Sequence, residues 1–302
     1  MTNRWWIYQK ERFPLLAHGP LVIVFCLAVM LFSALQQGGE LPDIVRIAGA
    51  VISTLILFFQ LRVADEFKDF SIDSKFRPHR AVPRGLVSLR ELAQLAFAGA
   101  AIQFLIALFI DIGLIPILLA VWAYIGLMTK EFFVKDWLIK HPSVYLVSHM
   151  LVMPLIAFYV STFDWLCDCR EIPPGLGWLL LLSFCSGLVL ELGRKIKVPA
   201  SEREGVETYS GLWGSRRAVI LWTAAVAASV FAYTNAASYL SQGELFLGLG
   251  GTVLVLGLIT AVLFPRKGQQ PFRGAENLLE PSSGLLTLAL YFGLGPLQAL
   301  LG

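Results

Sequence analysis

Charged residues are scarce in this chain. Asp, Glu, Lys and Arg together make up 15% of its 302 residues, whereas an average soluble domain carries about 25%. Hydrophobic residues make up 57%, and the mean hydropathy is +0.70. Two soluble domains of this combined length could not bury so much apolar surface. The composition therefore excludes a cytosolic enzyme, a nucleic-acid-binding protein, a disordered chain and a disulfide scaffold.

Cysteine is also rare, with four residues at positions 26, 167, 169 and 185. Their spacing matches no metal-binding pattern. Cys167 and Cys169 fall together in one loop between apolar stretches, and we expect them to be incidental rather than redox or metal-binding residues.

Long apolar runs dominate the rest of the sequence. A bilayer core about 30 Å thick needs roughly 20 apolar residues per helical crossing. Nine such stretches occur, at 20–36, 44–64, 92–110, 112–129, 144–163, 176–192, 217–237, 245–264 and 284–302. They are continuously apolar, whereas the strands of a membrane barrel would alternate. The sequence therefore predicts an all-α membrane protein, with nine transmembrane helices in a single bundle and one membrane domain over residues 1–302.

The positions of Lys and Arg predict the orientation. With the N-terminus in the cytoplasm, 22 of the 24 basic residues lie inside, and only Arg46 and Arg170 lie outside. The prediction is a multi-pass protein of the cell or inner membrane with a cytoplasmic N-terminus. The opening segment contains Trp5, Trp6 and Tyr8 and is too polar for a cleaved signal peptide. We expect it to be an interfacial lead-in to the first membrane helix.

Three aspartates follow the second apolar stretch at a helical spacing. Asp65, Asp69 and Asp73 are four residues apart, so on a helix they form one stripe. Like charges at this spacing destabilise a helix by a few tenths of a kcal/mol per pair. The stripe therefore needs a counter-charge, which either neighbouring Lys and Arg residues or a divalent metal could provide.

A metal is one of the two interpretations of this stripe. Mg²⁺ prefers oxygen ligands and usually bridges one or two carboxylates to substrate phosphates. Arg77, Arg80 and Arg84 follow the stripe and could hold the phosphate oxygens. In the other interpretation the aspartates form a solvated cap of the helix, with Arg62 and Lys68 as their partners.

A second acidic segment follows the sixth apolar stretch and contains Glu191, Glu202, Glu204 and Glu207. Pro199 disfavours a continuous helix here, so the spacing predicts no carboxylate stripe. Glu191 is either a metal ligand or an ion-pair partner of the arginine three residues later.

This arrangement resembles the UbiA superfamily of intramembrane prenyltransferases, which have nine helices and acidic motifs after the second and sixth. The first family motif, Asn/Asp-x-x-x-Asp-x-x-x-Asp, is matched by Asp65, Asp69 and Asp73. The segment Arg80-Ala-Val-Pro83-Arg84-Gly85 is similar to the Arg-Pro-Leu-Pro-x-Gly segment that usually follows it in the family.

The second family motif is matched only in part. In many members it reads Glu-x-x-Lys-Asp-x-x-Asp-x-x-x-Asp, followed by Gly-Ile-Lys-Thr. Glu191, Arg194 and Glu202 fall in register with it, and 205–208 is similar to its end. Its first two aspartates are replaced by Lys195 and Val198, and the residues that could rebuild it are Glu191, Glu202, Glu204 and Glu207.

The resemblance implies an enzyme that uses Mg²⁺-bound prenyl diphosphate to alkylate a small or lipidic acceptor inside the bilayer. The active site would lie on the cytoplasmic side, and no nucleic acid would take part. The implied metal ligands are Asp65, Asp69, Asp73, Glu191 and Glu202. The implied substrate-binding residues are Arg80, Arg77, Arg84, Lys68, Arg194 and Lys140.

Two other functions remain open. One is a terpene cyclase of the same fold, in which the allylic cation attacks its own double bonds. The other is a non-enzymatic transporter or assembly protein. A transporter more often carries charges near the midplane of its helices, whereas these acids gather at one membrane face, which favours an enzyme.

Polar residues inside the apolar stretches are few. His149 could contact an acceptor, although a hydrogen-bonded structural histidine is the more common case. Gln60 and Gln103 are expected to join helices rather than to bind substrate.

Overall fold

The computed structural model describes residues 3–36, 41–202, 205–240, 243–265 and 278–301, and no strand occurs among them. The α-helices of these ranges are α1 (Arg4–Arg12), α2 (Leu15–Gln36), α3 (Ile44–Phe76), α4 (Leu89–Ile110), α5 (Leu114–Thr129), α6 (Lys135–Lys140), α7 (Pro142–Met150), α8 (Val152–Trp165), α9 (Leu176–Lys195), α10 (Tyr209–Trp213), α11 (Ser215–Ala237), α12 (Gly243–Leu263), α13 (Leu279–Phe292) and α14 (Gln298–Leu301). Short 3₁₀ turns cover Glu131–Phe133 and Pro199–Ser201.

Eight spans in these ranges are long and apolar enough to cross a membrane. They are His18–Gln36, Ile44–Phe76, Leu89–Ile110, Pro142–Trp165, Leu176–Lys195, Ser215–Ala237, Phe246–Leu263 and Leu279–Leu301. The remaining predicted stretch corresponds to α5, an apolar helix of 16 residues. The prediction of an all-α membrane protein is confirmed, and eight of the nine predicted stretches overlap these spans.

The residues group into two compact units. The first comprises Met1–Met30 and Leu41–Ile172, and in it α3 packs against α4, α5 and α8. The second comprises Leu31–Glu40 and Pro173–Gly302, and in it α9 and α12 each pack against α11 and α13. The two acidic segments therefore belong to different units, and each is described below within its own.

Helix α3 carries the first acidic segment without a break from its apolar part. It begins after Asp43, whose side chain accepts hydrogen bonds from the amides of Val45 (2.8 Å) and Arg46 (3.0 Å). Such an N-cap satisfies amides that have no partner within the helix. The helix ends at Phe76, where Arg77-Pro78 follows, because proline disfavours helical conformation in the residue before it. Its 33 residues are enough to include the whole aspartate stripe.

Buried amide side chains join α3 to its neighbours, as the sequence predicted. Gln60 donates to the Gln103 side chain at 3.0 Å, and Gln103 donates to the carbonyl of Ser53 at 2.9 Å. The indole of Trp122 donates to the same Gln103 oxygen at 3.2 Å. These hydrogen bonds fix α3 against α4 and α5.

In the second unit, α9 and α13 approach closely at Gly193. A Cβ there would collide with the Ser283 hydroxyl and lie 3.0 Å from the carbonyl oxygen of Leu279. Ser283 cannot move freely, because its hydroxyl donates to that carbonyl at 2.7 Å and accepts from Trp222 at 2.8 Å. The close approach therefore requires glycine.

We expect Gly193→Ala to destabilise the protein by about 1–3 kcal/mol, the usual cost of overpacking a core. Gly177 is the matched control, because it lies on the same helix and a Cβ there meets nothing within 4 Å. Thermal unfolding of both variants in detergent measures the difference. A Gly193→Ala variant as stable as Gly177→Ala would contradict the packing at this position.

Candidate active site at the end of helix α3

The aspartate stripe divides into two environments. Each step of four residues turns the side chain about 40° around the helix. Asp65 and Asp69 are half-buried, whereas Asp73 is 1% exposed. Glu66, seven residues before Asp73 and therefore on nearly the same face, is 2% exposed. Among the three aspartates, only Asp73 lies on the buried face of α3, and it shares that face with Glu66.

Arginines surround Asp73. Arg77 donates to one carboxylate oxygen at 2.9 Å and Arg80 donates to the other at 2.6 Å. The Arg12 guanidinium of α1 lies 3.8 Å from the second oxygen and donates to Glu66 at 2.5 Å. Basic side chains therefore supply the counter-charge at this aspartate, which was one of the two possibilities that the spacing left open.

The loop after α3 holds Arg80 in place. Backbone amides of Arg84, Gly85 and Leu86 donate to carbonyls of residues 80–82 at 3.0 Å each. Gly85 has a φ of +76°, a conformation that glycine adopts without steric cost. Ala81 and Val82 are buried in an apolar cluster with Tyr8, Val63, Val87 and Leu92. The similarity of 80–85 to the family segment therefore reflects a compact turn that presents Arg80.

The arginine cluster carries a surplus of positive charge. Three guanidinium groups, from Arg12, Arg77 and Arg80, face the two carboxylates of Glu66 and Asp73. Burial lowers the pKa of Arg80, and the neighbouring charges of Arg12 and Arg77 lower it further, against the effect of Asp73. The guanidinium stays protonated, because its ordinary pKa lies far above neutrality. A bound anion would relieve this repulsion.

Asp65 and Asp69 fit a partial set of Mg²⁺ ligands. Asp65 is 36% exposed in its side chain and lies 3.6 Å from Arg62. In the described part of the chain, no three or more His, Cys, Asp or Glu side chains group closely enough to hold a metal alone. Mg²⁺ usually takes one or two carboxylates and completes its shell with water and phosphate oxygens. Two carboxylates one turn apart on α3 suit that mode.

Lys68 does not project toward solvent but joins a buried polar cluster. Its ammonium lies 3.0 Å from the hydroxyl of Tyr145, 3.0 Å from Nε2 of His149 and 3.3 Å from Glu131. His149 Nδ1 donates to the carbonyl of Tyr145 at 2.8 Å, so Nε2 faces both the Lys68 ammonium and the Glu131 carboxylate, which lies 3.2 Å away. The Lys68 side chain is 7% exposed and the Glu131 side chain is 13% exposed. His149 is thus hydrogen-bonded within this cluster.

The backbone beside this cluster is left-handed over three residues. Glu131, Phe132 and Phe133 have φ values of +50°, +52° and +59°. Non-glycine residues in this region cost roughly 1–2 kcal/mol each. Burial raises the pKa of the Glu131 carboxyl, but His149 and the Lys68 charge outweigh it, so the pKa is lowered. The charged Glu131 side chain therefore anchors a strained turn to α3 and α7.

In the second unit, the candidate glutamates have protein partners. Glu191 pairs with Arg194 at 2.7 Å and with Lys195 at 2.8 Å. The ion pair three residues apart, one of two interpretations of Glu191, is therefore present. Glu202 accepts hydrogen bonds from the hydroxyls of Thr208 and Ser210, each at 2.6 Å. Glu202 thus ties the segment after Pro199 to the start of α10.

The remaining candidates contact other groups, are exposed, or lie outside the described residues. Arg84 donates to Glu11 at 2.8 Å and to the carbonyl of His79 at 2.6 Å. Lys140 is exposed in the last turn of α6, and Glu207 is exposed before α10. Glu204 lies outside the described residues.

Sequence reasoning missed Arg12, Glu66 and Glu131. Glu66 had a usable signal, because residues seven apart on a helix share a face and Asp73 had already been selected. Arg12 and Glu131 had none, because Arg12 lies 54 residues before Glu66, and Glu131 lies 63 residues after Lys68 and 18 before His149. Only tertiary packing reveals them.

Solved structures with the same fold are known. The chain is similar to a UbiA homologue from Aeropyrum pernix K1, with a TM-score of 0.67, 14% identity, and coverage of 92% of this chain and 97% of that one. It is also similar to a UbiA homologue from Archaeoglobus fulgidus bound to GPP and Mg²⁺, with a TM-score of 0.61, 12% identity and coverage of 95% and 98%. A digeranylgeranylglyceryl phosphate synthase matches with a TM-score of 0.58, 16% identity and coverage of 96% and 98%. At these identities the likeness shows the fold.

The sequence comparisons give the family. No curated protein matches the chain. The model of the UbiA prenyltransferase family matches residues 13–273, which include both acidic segments. The match covers most of the chain and agrees with the fold, so the chain belongs to the UbiA prenyltransferase family.

Proposed function

We propose that this protein is an intramembrane prenyltransferase that uses a Mg²⁺-bound prenyl diphosphate to alkylate a small or lipidic acceptor. One observation carries the proposal: half-buried carboxylates and a surplus of arginine charge lie together at one end of the membrane helix α3. Family membership supports it, and so does the solved Archaeoglobus relative that is bound to GPP and Mg²⁺. The distribution of basic residues favours a site on the cytoplasmic side.

Each group at the end of α3 has a role in this proposal. Asp65 and Asp69 would hold the metal, with Asp73 as a further predicted ligand, although its oxygens face arginines. Bound Mg²⁺ would neutralise the charge that develops on the leaving diphosphate. Arg77 and Arg80 would bind diphosphate oxygens through charge-assisted hydrogen bonds. The allylic carbon–oxygen bond would then break with its electron pair on the diphosphate, and the acceptor would bond to the prenyl carbon and lose a proton.

The second acidic segment carries the other predicted ligands. Glu191 and Glu202 remain predicted metal ligands, and Arg194 a predicted substrate-binding residue. Glu191 would have to exchange one of its two basic partners for the metal. Glu202 would keep one hydroxyl partner while the other carboxylate oxygen turned outward. These are modest rearrangements of exposed or half-buried side chains.

The bilayer setting suits a prenyl substrate. A long isoprenoid tail gains about 0.8 kcal/mol for each buried CH₂ group, so the substrate already partitions into the membrane. A cavity shielded from bulk water would also limit hydrolysis of the allylic cation.

The test is diphosphate release by the purified protein in detergent or nanodiscs, supplied with geranyl diphosphate or a longer homologue. With Mg²⁺ and membrane lipid extract as the acceptor source, we expect release of diphosphate and a prenylated product. Removing divalent ions with EDTA should lower the release at least 100-fold, because the leaving group then lacks its neutralising charge. Adding back excess Mg²⁺ should restore it.

The alternative functions give different results in the same experiment. Cyclised hydrocarbon formed without any acceptor would identify a terpene cyclase. The absence of diphosphate release under every condition, from protein that is folded and inserted, would favour the transporter or assembly protein and overturn the proposal.

A further inference from the structure

Helix α1 precedes the segment that matches the family model, which begins at residue 13. It is tied to the acidic region by ion pairs at both ends. Arg4 pairs with Glu91 of α4 at 2.6 Å, and Glu11 pairs with Arg84 at 2.8 Å. Both pairs are partly exposed, and exposed ion pairs contribute little stability. They do not explain why α1 carries a further arginine that is buried.

Arg12 is that residue, and it differs from the other charged groups of α1. Its side chain is 9% exposed and lies 2.5 Å from Glu66 and 3.8 Å from Asp73. It is therefore shared by the two buried carboxylates of α3. Burial of a charge is costly without a partner, so the three groups depend on one another. Tyr8, one turn earlier, is packed in the apolar cluster and holds this part of α1 in place.

The consequence concerns Arg77 and Arg80. Both residues bind Asp73, so the two oxygens of this carboxylate contact three guanidinium groups, those of Arg12, Arg77 and Arg80. With Arg12 satisfying Glu66 and shielding Asp73, Arg77 and Arg80 can each use the remaining N–H groups for an anion. Without Arg12, Glu66 becomes a buried uncompensated charge. Arg77 and Arg80, which bind Asp73 on the same face of α3, are then among the cations that can turn toward Glu66, as is Arg62 one helical turn before it.

We propose that Arg12 is a positioning residue of the diphosphate site and makes α1 part of that site. It acts through Glu66 and Asp73, which it holds so that Arg77 and Arg80 remain directed at the phosphate oxygens of the substrate. This inference rests on the proposed prenyltransferase function and extends it to a helix outside the family-matched segment.

The experiment compares Arg12→Gln with Arg4→Gln. Both changes remove one arginine from α1, but Arg4 pairs with Glu91 of α4, whereas Arg12 pairs with Glu66 and Asp73 of α3. The binding of inorganic pyrophosphate in the presence of Mg²⁺ is measured by calorimetry, and KM and kcat are measured for geranyl diphosphate. We expect Arg12→Gln to weaken pyrophosphate binding and raise KM at least tenfold, with kcat lowered less than threefold. Arg4→Gln should stay within twofold of the unmodified protein in each quantity.

Arg12→Lys keeps the positive charge but loses the planar arrangement of N–H donors of the guanidinium group. It serves as the test variant if Arg12→Gln does not fold. We expect it to weaken pyrophosphate binding by an intermediate factor, about threefold. Equal losses in Arg12→Gln and Arg4→Gln would show that only the docking of α1 matters and would overturn the inference. So would unchanged binding in a folded Arg12→Gln or Arg12→Lys variant. Unmodified protein that neither binds pyrophosphate nor releases diphosphate would instead overturn the proposed function.

Discussion

Asp69→Asn is expected to lower Mg²⁺-dependent diphosphate release about 1,000-fold, which corresponds to about 4 kcal/mol of lost transition-state stabilisation. Asparagine has the same shape as aspartate but no charge, so the loss isolates the carboxylate. Asp69 is the middle residue of the stripe and, with Asp65, belongs to its half-buried face. A metal ion that neutralises a leaving group typically contributes several kcal/mol. The Mg²⁺ concentration that gives half-maximal release should rise in the variant.

The measurement requires evidence that the variant is folded and a control for general charge loss. Thermal unfolding in detergent should change by less than 2 °C, because removal of one carboxylate also relieves the repulsion of like charges along the stripe. Asp136→Asn is the matched control, since Asp136 is exposed on α6, and its release rate should stay within twofold. A folded Asp69→Asn protein with release within threefold of the unmodified protein would rule out a metal role for this residue.

Hydrophobicity and chain geometry were enough to predict the membrane helices. The apolar stretches follow from the thickness of the bilayer; eight of them overlap the spans of the structure, and 112–129 overlaps the shorter helix α5. The exact ends of the helices could not be predicted as well, because several helices continue into polar residues beyond the apolar stretch. Helix α3 runs to Phe76, 12 residues beyond the predicted stretch, and this extension places the aspartates on a regular helix.

The candidate site was predicted only in its local part. The stripe of Asp65, Asp69 and Asp73 follows from a spacing of four. The counter-charge of Asp73 did not follow, because both arginines and a metal satisfy the same electrostatic requirement. Contacts between distant segments decide it, and Arg12, 54 residues before Glu66, takes part in them. A single sequence carries no record of such a contact.

The cluster around Lys68 is a second case in which contacts between distant segments could not be predicted from the sequence. The sequence offered Lys68 as a substrate-binding residue or a partner of the aspartates, and His149 as an acceptor contact or a hydrogen-bonded structural residue. The structure joins these two residues with Glu131 through a turn of three left-handed residues. No propensity rule predicts left-handed phenylalanine, because the conformation is unfavourable by itself. Tertiary contacts hold it in place.

Lys68→Met is therefore expected to destabilise the protein by about 3–5 kcal/mol, the usual cost of removing one partner from a buried ion pair. Methionine fills a similar volume, so the loss reflects charge rather than packing. Glu131 would keep a largely buried carboxylate without its lysine partner, and the strained turn would lose one of its anchors. Unfolding in mild detergent measures the change, and limited proteolysis near residue 133 reports whether the turn opens first. Lys75→Met, an exposed lysine on the same helix, should change stability by less than about 0.5 kcal/mol.

The double variant Lys68→Met, Glu131→Gln separates the ion pair from every other contact of these side chains. If the buried charge of Glu131 causes the loss, removing it should recover at least half of the stability, because residues in direct contact couple by roughly 0.5–3 kcal/mol in such cycles. In the unmodified protein, falling pH should imitate Glu131→Gln alone and lower the stability. The folded-state pKa of Glu131 is lowered, so its contribution is complete above the unfolded pKa and is lost as the pH falls through the folded one. Additive effects of the two substitutions would show that Lys68 and Glu131 stabilise the turn independently.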